Sequence, residues 1–388
     1  MVLFAALLSA VSLSVIAQDS QATIEHPVAR DLDQKAKAII ATGHVSGMAM
    51  ALLEGDQIVL AQGYGARVLG EADAVDLDTV FRLASVSKTF SSSLLGLLAE
   101  RRYLELSTPV LDLVPALRLK DPASTAELTV EEILSHRSGL PYHALDKVLE
   151  ASDSFLTVRP QLAKLKLACK VGECYAYQNV MFDFATDVVV ASTGQGFEQA
   201  LNRELLAPLG MTRTTVGREA LLLEPNHAKP HAHNGKALVA FDPKPNYYWM
   251  PAAAGINTSL RDLMRWAMAQ QGYRPDVLSR ELLDDLHRAR VTTPGELLGP
   301  KWRRLRLQDA GYALGFRVLD YGGHEVIFHA GAVAGYRAMM ALDPERQRSF
   351  LLMWNCNSAL PAGLLPTALD HWFGLPPEDW LELNQYQI

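Results

Sequence analysis

Cysteine is scarce in this chain: three residues in 388 allow at most one internal disulfide and exclude a cysteine-framework scaffold. Basic residues are in the minority as well. The formal net charge of −7 argues against a dedicated nucleic-acid binder. The one basic cluster, Lys301-Trp-Arg-Arg-Leu-Arg306, reads as a solvated loop or helix face rather than a phosphate track. Beyond the first 17 residues no stretch is long and apolar enough to span a bilayer. No G-x-S-x-G turn occurs, which removes the α/β-hydrolase reading. Gly63-Tyr-Gly65 lacks the third glycine of a dinucleotide loop. His324-Glu-Val-Ile-Phe-His329 is one residue too long for a zincin H-E-x-x-H and lies among strand-like residues. His227, His231 and His233 crowd together, but in a Pro-rich segment with no acidic residue beside them to orient metal ligands. No metal and no organic cofactor is expected. Internal repeats and low-complexity segments are missing too.

What is present is the material of a folded protein, with 49% hydrophobic and 20% charged residues, so disorder is not expected. The opening MVLFAALLSAVSLSVIA (1–17) carries no charge and is too short for a comfortable membrane span of about 20 residues. Val15 and Ala17 suit cleavage before Gln18, although a basic n-region is missing. The segment reads as a secretory signal peptide, which implies a periplasmic or secreted protein with no stable membrane insertion after cleavage. Retention as an N-terminal anchor is the other reading. Cys169 and Cys174 flank Gly172 in CKVGEC, a spacing open to a short bridge or to two free thiols. Export into an oxidising compartment favours the bridge. Cys356, in FLLMWNCNS, reads as a buried thiol.

Residues 26–42 show helical periodicity, and two apolar runs around Glu54-Gly-Asp-Gln57 signal a hairpin. Helical patterns return at 87–103, Asn179–Ser192 and Phe197–Ala207, and residues 224–256 have no clear period. Thr258-Ser-Leu-Arg-Asp262 looks like a capped helix start. The last third changes character. GYALGFRVLDYGG, HEVIFHAGAV, YRAMMALDP and RSFLLMWN alternate between Gly, Pro and Asp breaks as antiparallel strands do, before a closing helix in 361–373. Strands at both chain ends with helices between them predict an α/β (α+β) fold. One antiparallel sheet would be built from both ends (18–86 and 255–388), with helices packed on it and a mostly helical inserted domain (87–254).

Three short clusters have chemical potential. Ser85 and Lys88 sit three apart at the start of a helix whose Leu94-Leu-Gly-Leu-Leu-Ala99 is apolar on nearly all sides, so the lysine is hard to solvate. A serine hydroxyl needs a base to become a nucleophile, and a desolvated lysine can be one. Taken alone, this is equally a helix cap followed by a snorkelling lysine. Tyr177-Gln178-Asn179 offers a phenol for proton transfer and an amide to hold both a lysine and a substrate carbonyl. His329-Ala330-Gly331 lies in what reads as an edge of the C-terminal sheet, where a small-residue strand suits an extended substrate. A lone His or Tyr is more often structural than catalytic.

In this order the clusters S-V-S-K, Y-Q-N and H-A-G resemble the three motifs of the penicillin-recognising serine hydrolases: class C β-lactamases, DD-peptidases and related esterases. LTVEEILSHRSGLP (128–141), APLGMTRT (207–214), PAAAGINTSLRDLMRWA (251–267) and HAGAVAGYRA (329–338) extend the resemblance from about residue 30 to residue 372. It implies the β-lactamase/DD-peptidase fold. By position, it also implies Ser85 as the acylated nucleophile, Lys88 as its proton partner and Tyr177 as the proton shuttle. Asn179 would hold lysine and substrate, and the backbone N–H groups of Ser85 and Ala332 would form the oxyanion hole. Whether lysine or tyrosine deprotonates the serine stays open.

The third motif departs from the Lys-Thr-Gly usual in class C enzymes. Ala330 and Ala332 replace the hydroxyls that would bind a substrate carboxylate, at about 1.5–3 kcal/mol for each lost hydrogen bond to a charged group. Arg337, or a protonated His329, is the available compensation. The expectation is a secreted serine hydrolase of the DD-carboxypeptidase, amidase or esterase kind, acting on a small-molecule or peptidoglycan-derived substrate. A class C-type β-lactamase is the alternative, and a non-catalytic cell-wall-peptide binder on the same scaffold is the rival from another class. The sequence is silent on oligomeric state.

Overall fold

The computed structural model describes residues 26–386 except 153 and 236, so the leader read over 1–17 lies outside the described residues. Helix α1 (Pro27–Ala41) starts on a proline, which has no N–H to lose at a first turn, and buries Ala29, Leu32, Ala36 and Ile39 at helical spacing. The hairpin follows as β1 (Gly47–Glu54) and β2 (Gln57–Gly65). A short strand, β3 (Val80–Arg82), leads through a 3-10 turn at Ala84–Val86 into α2 (Ser87–Glu100). The helical span 179–192 divides into Asn179–Phe182 and α3 (Phe184–Thr193), which ends on Gly194 with φ 68°. Between 224 and 256 the expected irregular text holds a small ladder of His231–His233 with Leu238–Ala240 and short helical turns at Asn246–Trp249 and Pro251–Ala254.

Two further short strands, β4 (Thr215–Val216) and β5 (Ile256–Ser259), join β3 in a three-stranded sheet ordered β3-β5-β4. Ser259 caps α4 (Leu260–Gln270), its side chain accepting from the Asp262 N–H. After α5 (Arg280–His287) come the C-terminal strands β6 (Val291–Thr292), β7 (Leu307–Tyr312), β8 (Arg317–Tyr321), β9 (His324–Val333), β10 (Tyr336–Asp343) and β11 (Arg348–Trp354), then α6 (Leu364–Phe373). The eight-stranded sheet is antiparallel throughout and ordered β2-β1-β11-β10-β9-β8-β7-β6. Both chain ends therefore supply one sheet, as the strand-like text at the two ends predicts.

Apolar clusters cover both faces of the sheet. One holds β-strand residues with α1 and α6. The other holds α2, α4, α5 and the helical middle of the chain against Ala49, Ala51, Ile327, Met340 and Met353. Of the 14 residues of α2, only the last two escape burial, so it is the core helix that the apolar run predicts. Several of its polar residues bond neighbouring elements, whereas Ser92 Oγ is buried without a partner among the described residues. Ser91 Oγ donates to the Ala252 carbonyl, Thr89 accepts from the Trp266 indole, and Ser93 accepts from Gln270. Phe90 stacks on Trp266 with centroids 3.9 Å apart.

Sequence and structure part company at β9. This strand is internal, fifth in the order, not an edge. The two outermost strands on this side, β7 and the edge strand β6, were concealed by the polar text LQDAGY and by the brevity of Val291–Thr292. The expectation nonetheless holds locally. Pairing with β8 stops at Arg317↔Phe328, whereas pairing with β10 continues to Val333↔Tyr336. Among the described residues, 329–333 thus have strand pairing on one side alone. The basic cluster forms a short helix, Lys301–Arg306, in which Arg303 pairs with Glu296 and Arg306 with Asp370.

Candidate active site

From residue 79 to residue 98 every side chain is buried except one, Ser85. It stands in the 3-10 turn before α2, directly after Ala84, whose φ of 49° lies in the left-handed region that side chains seldom adopt. One turn on, Lys88 is wholly buried. Its ammonium donates to Asn179 Oδ1 at 2.7 Å and to the Ala253 carbonyl at 2.9 Å, and it lies 3.5 Å from Ser85 Oγ. The rings of Tyr177 and Phe182 close over it at 4.8 and 5.2 Å. Burial dominates its titration and pulls the pKa down to about 7, against the opposing pull of Asp146 and Asp183. A lysine poised near neutrality beside a hydroxyl can exchange a proton with it.

Tyr177 is buried, and burial raises its phenol pKa, with contact to Ser85 opposing the shift. Burial thus disfavours its ionised form. Asn179 opens its own short helix, where its amide bridges: Oδ1 accepts from Lys88 while Nδ2 donates to Asp146 Oδ2 at 2.9 Å. Asp183, also buried, accepts from the Ala252 N–H, and burial pushes its carboxyl up to about 8.

On the sheet side, β9 runs past Ser85. A Cβ on Gly331 would stand 2.0 Å from the Leu83 carbonyl oxygen and 3.1 Å from the Ser85 nitrogen, so only glycine fits there. Gly315, at φ 74°, also permits a close approach, since a Cβ there would stand 2.6 Å from the Lys88 carbonyl oxygen. His329 is buried and bonded at both nitrogens. Its Nδ1 meets the Ala330 carbonyl at 3.0 Å, and its Nε2 meets the Tyr312 hydroxyl at 3.1 Å. A carbonyl only accepts, so the proton sits on Nδ1 and Tyr312 donates to Nε2. Burial and the neighbouring Arg317 hold its pKa well below the usual imidazole range. The expectation that a protonated His329 compensates for the missing hydroxyls is therefore corrected.

Arg337 is corrected as well. Side chains alternate along a strand, and His329 and Gly331 face α2. Ala330 and Ala332 face the other way, as does Arg337, the cross-strand partner of Ala332. The Arg337 guanidinium donates to the carbonyls of Val333 and Tyr336, away from the site.

Several residues of the site had no motif to announce them. Asp146, buried, fixes Asn179; Tyr312 fixes His329; His136 packs its ring 4.3 Å from that of Tyr177. Arg317 lies 5.5 Å from the Tyr177 ring, tied to Glu296. His136 in LSHRSGLP and Tyr312 in GYALGF stand in apolar settings where a polar residue must find a partner, whereas Asp146 and Arg317 lie outside both stretches. The CKVGEC loop is closed by the Cys169–Cys174 disulfide, and Cys356 is a buried free thiol. Tyr247 and Tyr248 donate to Glu150 and Asn257. His231 is bonded to backbone at both nitrogens, from Leu69 and to Asn355.

Residues 32–370 match the family model described as Beta-lactamase. The chain belongs to the beta-lactamase family. This family member is 26% identical over 389 residues to the unguisins hydrolase ungD of Aspergillus violaceofuscus, an alignment covering 92% of this chain and 67% of that protein. It thus spans about two thirds of that relative's length. Among solved structures, the octameric penicillin-binding protein homologue from Pyrococcus abyssi superposes with a TM-score of 0.78 at 22% identity, covering 91% of this chain and 79% of that one. The D-amino acid amidase from Ochrobactrum anthropi SV3 gives 0.71 at 21% identity, covering 89% and 99%. The beta-lactamase-family fold expected from the motifs is thereby established, and with it membership of a hydrolase superfamily.

Proposed function

We propose that this protein is an exported serine hydrolase that cleaves amide or ester carbonyls through an acyl-enzyme on Ser85. The observation that carries this is Lys88, desolvated to a pKa of about 7 and aimed between Ser85 Oγ and Asn179 Oδ1. Neutral Lys88 takes the Ser85 proton as Oγ bonds to the substrate carbonyl carbon. Backbone N–H groups at Ser85 and Ala332 receive the oxyanion. The tetrahedral adduct expels its amine or alcohol, which takes a proton from the Tyr177 phenol, and Tyr177 recovers one from the Lys88 ammonium. Water then attacks the acyl carbon, its proton returns to Ser85 Oγ through Lys88, and the acid leaves.

The substrate preference follows from the sheet side. His329 is neutral, Arg337 serves the opposite face, which Ala330 and Ala332 share, and Arg317 is already paired with Glu296, so none of these residues offers a free charge to a substrate carboxylate. Amides, esters and internal peptide bonds therefore suit the cleft better than penicillins or free D-Ala-D-Ala ends. The one-sided segment 329–333 supports an extended substrate pairing along it. Likeness to a D-amino acid amidase and to a hydrolase of the unguisins agrees with an amide substrate. An oxidising compartment suits the Cys169–Cys174 bond.

The test is a panel of an aryl ester, an amino acid amide, a D-Ala-D-Ala peptide and a chromogenic cephalosporin, each with wild type and Ser85→Ala. Ester or amide turnover that disappears in the variant is expected. Turnover that survives in Ser85→Ala sinks the mechanism, and a cephalosporin rate far above the rest sinks the substrate ranking.

A further inference from the structure

Next to Tyr177 lies a cavity of about 640 Å³ walled by two distant parts of the chain. One wall carries Tyr142, Cys174 and Tyr175, the other Val291, Thr293 and Pro294. Each wall is tied to a residue of the site. His143, the neighbour of Tyr142, donates its N–H to the Tyr177 carbonyl at 2.8 Å, and the Tyr142 ring lies 6.4 Å from that of Tyr177. The Cys169–Cys174 disulfide closes the turn that leads through Tyr175 to Tyr177. In the opposite wall, Val291 of β6 is the strand partner of Tyr312, whose hydroxyl donates to His329. Both walls are thus registered on residues of the reacting centre.

The cavity belongs to one end of the cleft. The rings of His329 and Tyr177 stand 6.4 Å apart, and the Ala332 N–H that would hold the oxyanion lies farther along β9. Tyr177 protonates the departing group in the mechanism proposed above. The amine or alcohol therefore leaves at the Tyr177–His329 end, and the cavity is the space into which its substituent extends.

The walls say what fits there. Two tyrosine rings, a disulfide, a valine and a proline give aromatic and apolar surface, within a volume typical of small-molecule sites, about 300–1,000 Å³. Tyr142 is 56% exposed, so most of its ring is available to be covered by a second ring. The charged side chains that line the cavity are already paired: Glu296 with Arg303 and Arg317, Glu173 with Lys170. A charged occupant would have to compete for them. The Thr293 hydroxyl is buried without a partner among the described residues, and a polar substituent on a bound ring can satisfy it.

We propose that this cavity is a specificity pocket for an uncharged aromatic ring on the leaving amine or alcohol, with Tyr142 as the residue that selects it. The inference rests on the reading of Ser85 as the acylated nucleophile and Tyr177 as the donor to the leaving group.

The experiment measures kcat/KM for the methyl, isoamyl, phenethyl and para-carboxyphenethyl esters of N-acetylglycine with wild type, Tyr142→Phe and Tyr142→Ala. All pass through the same acyl-enzyme, so differences in kcat/KM arise before it forms. Each enzyme is normalised to its own methyl ester, whose leaving group is too small to enter the cavity. In wild type the phenethyl ester should exceed the isoamyl ester by about tenfold, and the para-carboxyl group should abolish that advantage. Tyr142→Phe should keep the preference and Tyr142→Ala should bring it close to parity. Equal rates for the phenethyl and isoamyl esters in wild type, or an undiminished rate for the carboxyl ester, overturn the inference even if Tyr142→Ala does not fold. A preference that survives in Tyr142→Ala overturns it too. So does a ring preference found only on the acyl side, with N-phenylacetylglycine methyl ester. Absence of Ser85-dependent turnover of every ester overturns instead the reading of Ser85.

Discussion

Lys88 donates to Asn179 Oδ1 at 2.7 Å across 91 residues of sequence, and this contact fixes the amide's orientation. With Oδ1 engaged by an ammonium, Nδ2 points to Asp146, and the bridge cannot flip without setting donor against donor. The lysine is thereby held beside Ser85 rather than drawn to a carboxylate.

Lys88 should set the acidic limb of activity. The neutral amine is the base form, and its pKa is drawn down to about 7 by burial, so kcat/KM should rise with pH through about 7 and level off above it. Lys88→Arg, which stays charged, should lose about 10²–10⁴-fold in acylation at every pH. Stopped-flow acylation with an aryl ester checks both; full activity of Lys88→Arg would remove lysine from the role of base.

Gly331→Ala forces a methyl group against the Leu83 carbonyl, a backbone atom unable to swing away. The strand must move off the Ser85 turn, at about 1–3 kcal/mol in stability, typical of an overpacked site. Acylation should fall by at least tenfold. A thermal melt and a probe-labelling rate measure the two effects separately.

Arg337→Ala should leave discrimination between charged and neutral substrates untouched, because the guanidinium serves the carbonyls of Val333 and Tyr336 on the opposite face. The expected change is a lower melting temperature with unaltered KM ratios for a carboxylate-bearing ester and its methyl ester. A selective rise in KM for the carboxylate form would return Arg337 to the site.

Reduction of Cys169–Cys174, or a Cys→Ser pair, should destabilise by about 2 kcal/mol, the chain-entropy value for so short a loop. The loop is stitched to the site, with Ala168 N–H bonded to Gly139 and Ala176 N–H to His136. Loss of the bridge should therefore lower kcat through Tyr177 as well as stability. Activity before and after a mild reductant, with melting monitored in parallel, reads both.

Much of this arrangement was legible in the residues. The strand alternation of 324–354, the apolar wrap of α2 and the three short motifs each depend on local order, which a sequence carries directly. Arg337 was misjudged because a period of two assigns residues to two faces without saying which face holds the chemistry. The Gly331–Leu83 approach decides that, and it joins distant segments. β9 was taken for an edge because β7 carries Gln308 and Asp309 and β6 is two residues long, too little pattern to read as strands. Asp146, Tyr312 and Arg317 gain their roles only from partners far along the chain, such as Asn179 for Asp146.

The pairing of β1 with β11 has a consequence in time. Gly47 N–H bonds Asn355 Oδ1 across 308 residues, and the two strands lie side by side as second and third of the eight. Contacts of such separation form late, after the loop entropy between them has been overcome. A growing chain that has already presented Ser85 and Lys88 lacks the strand that must lie against them. The setting of Ser85 is complete only once the last fifth of the polypeptide has closed the sheet.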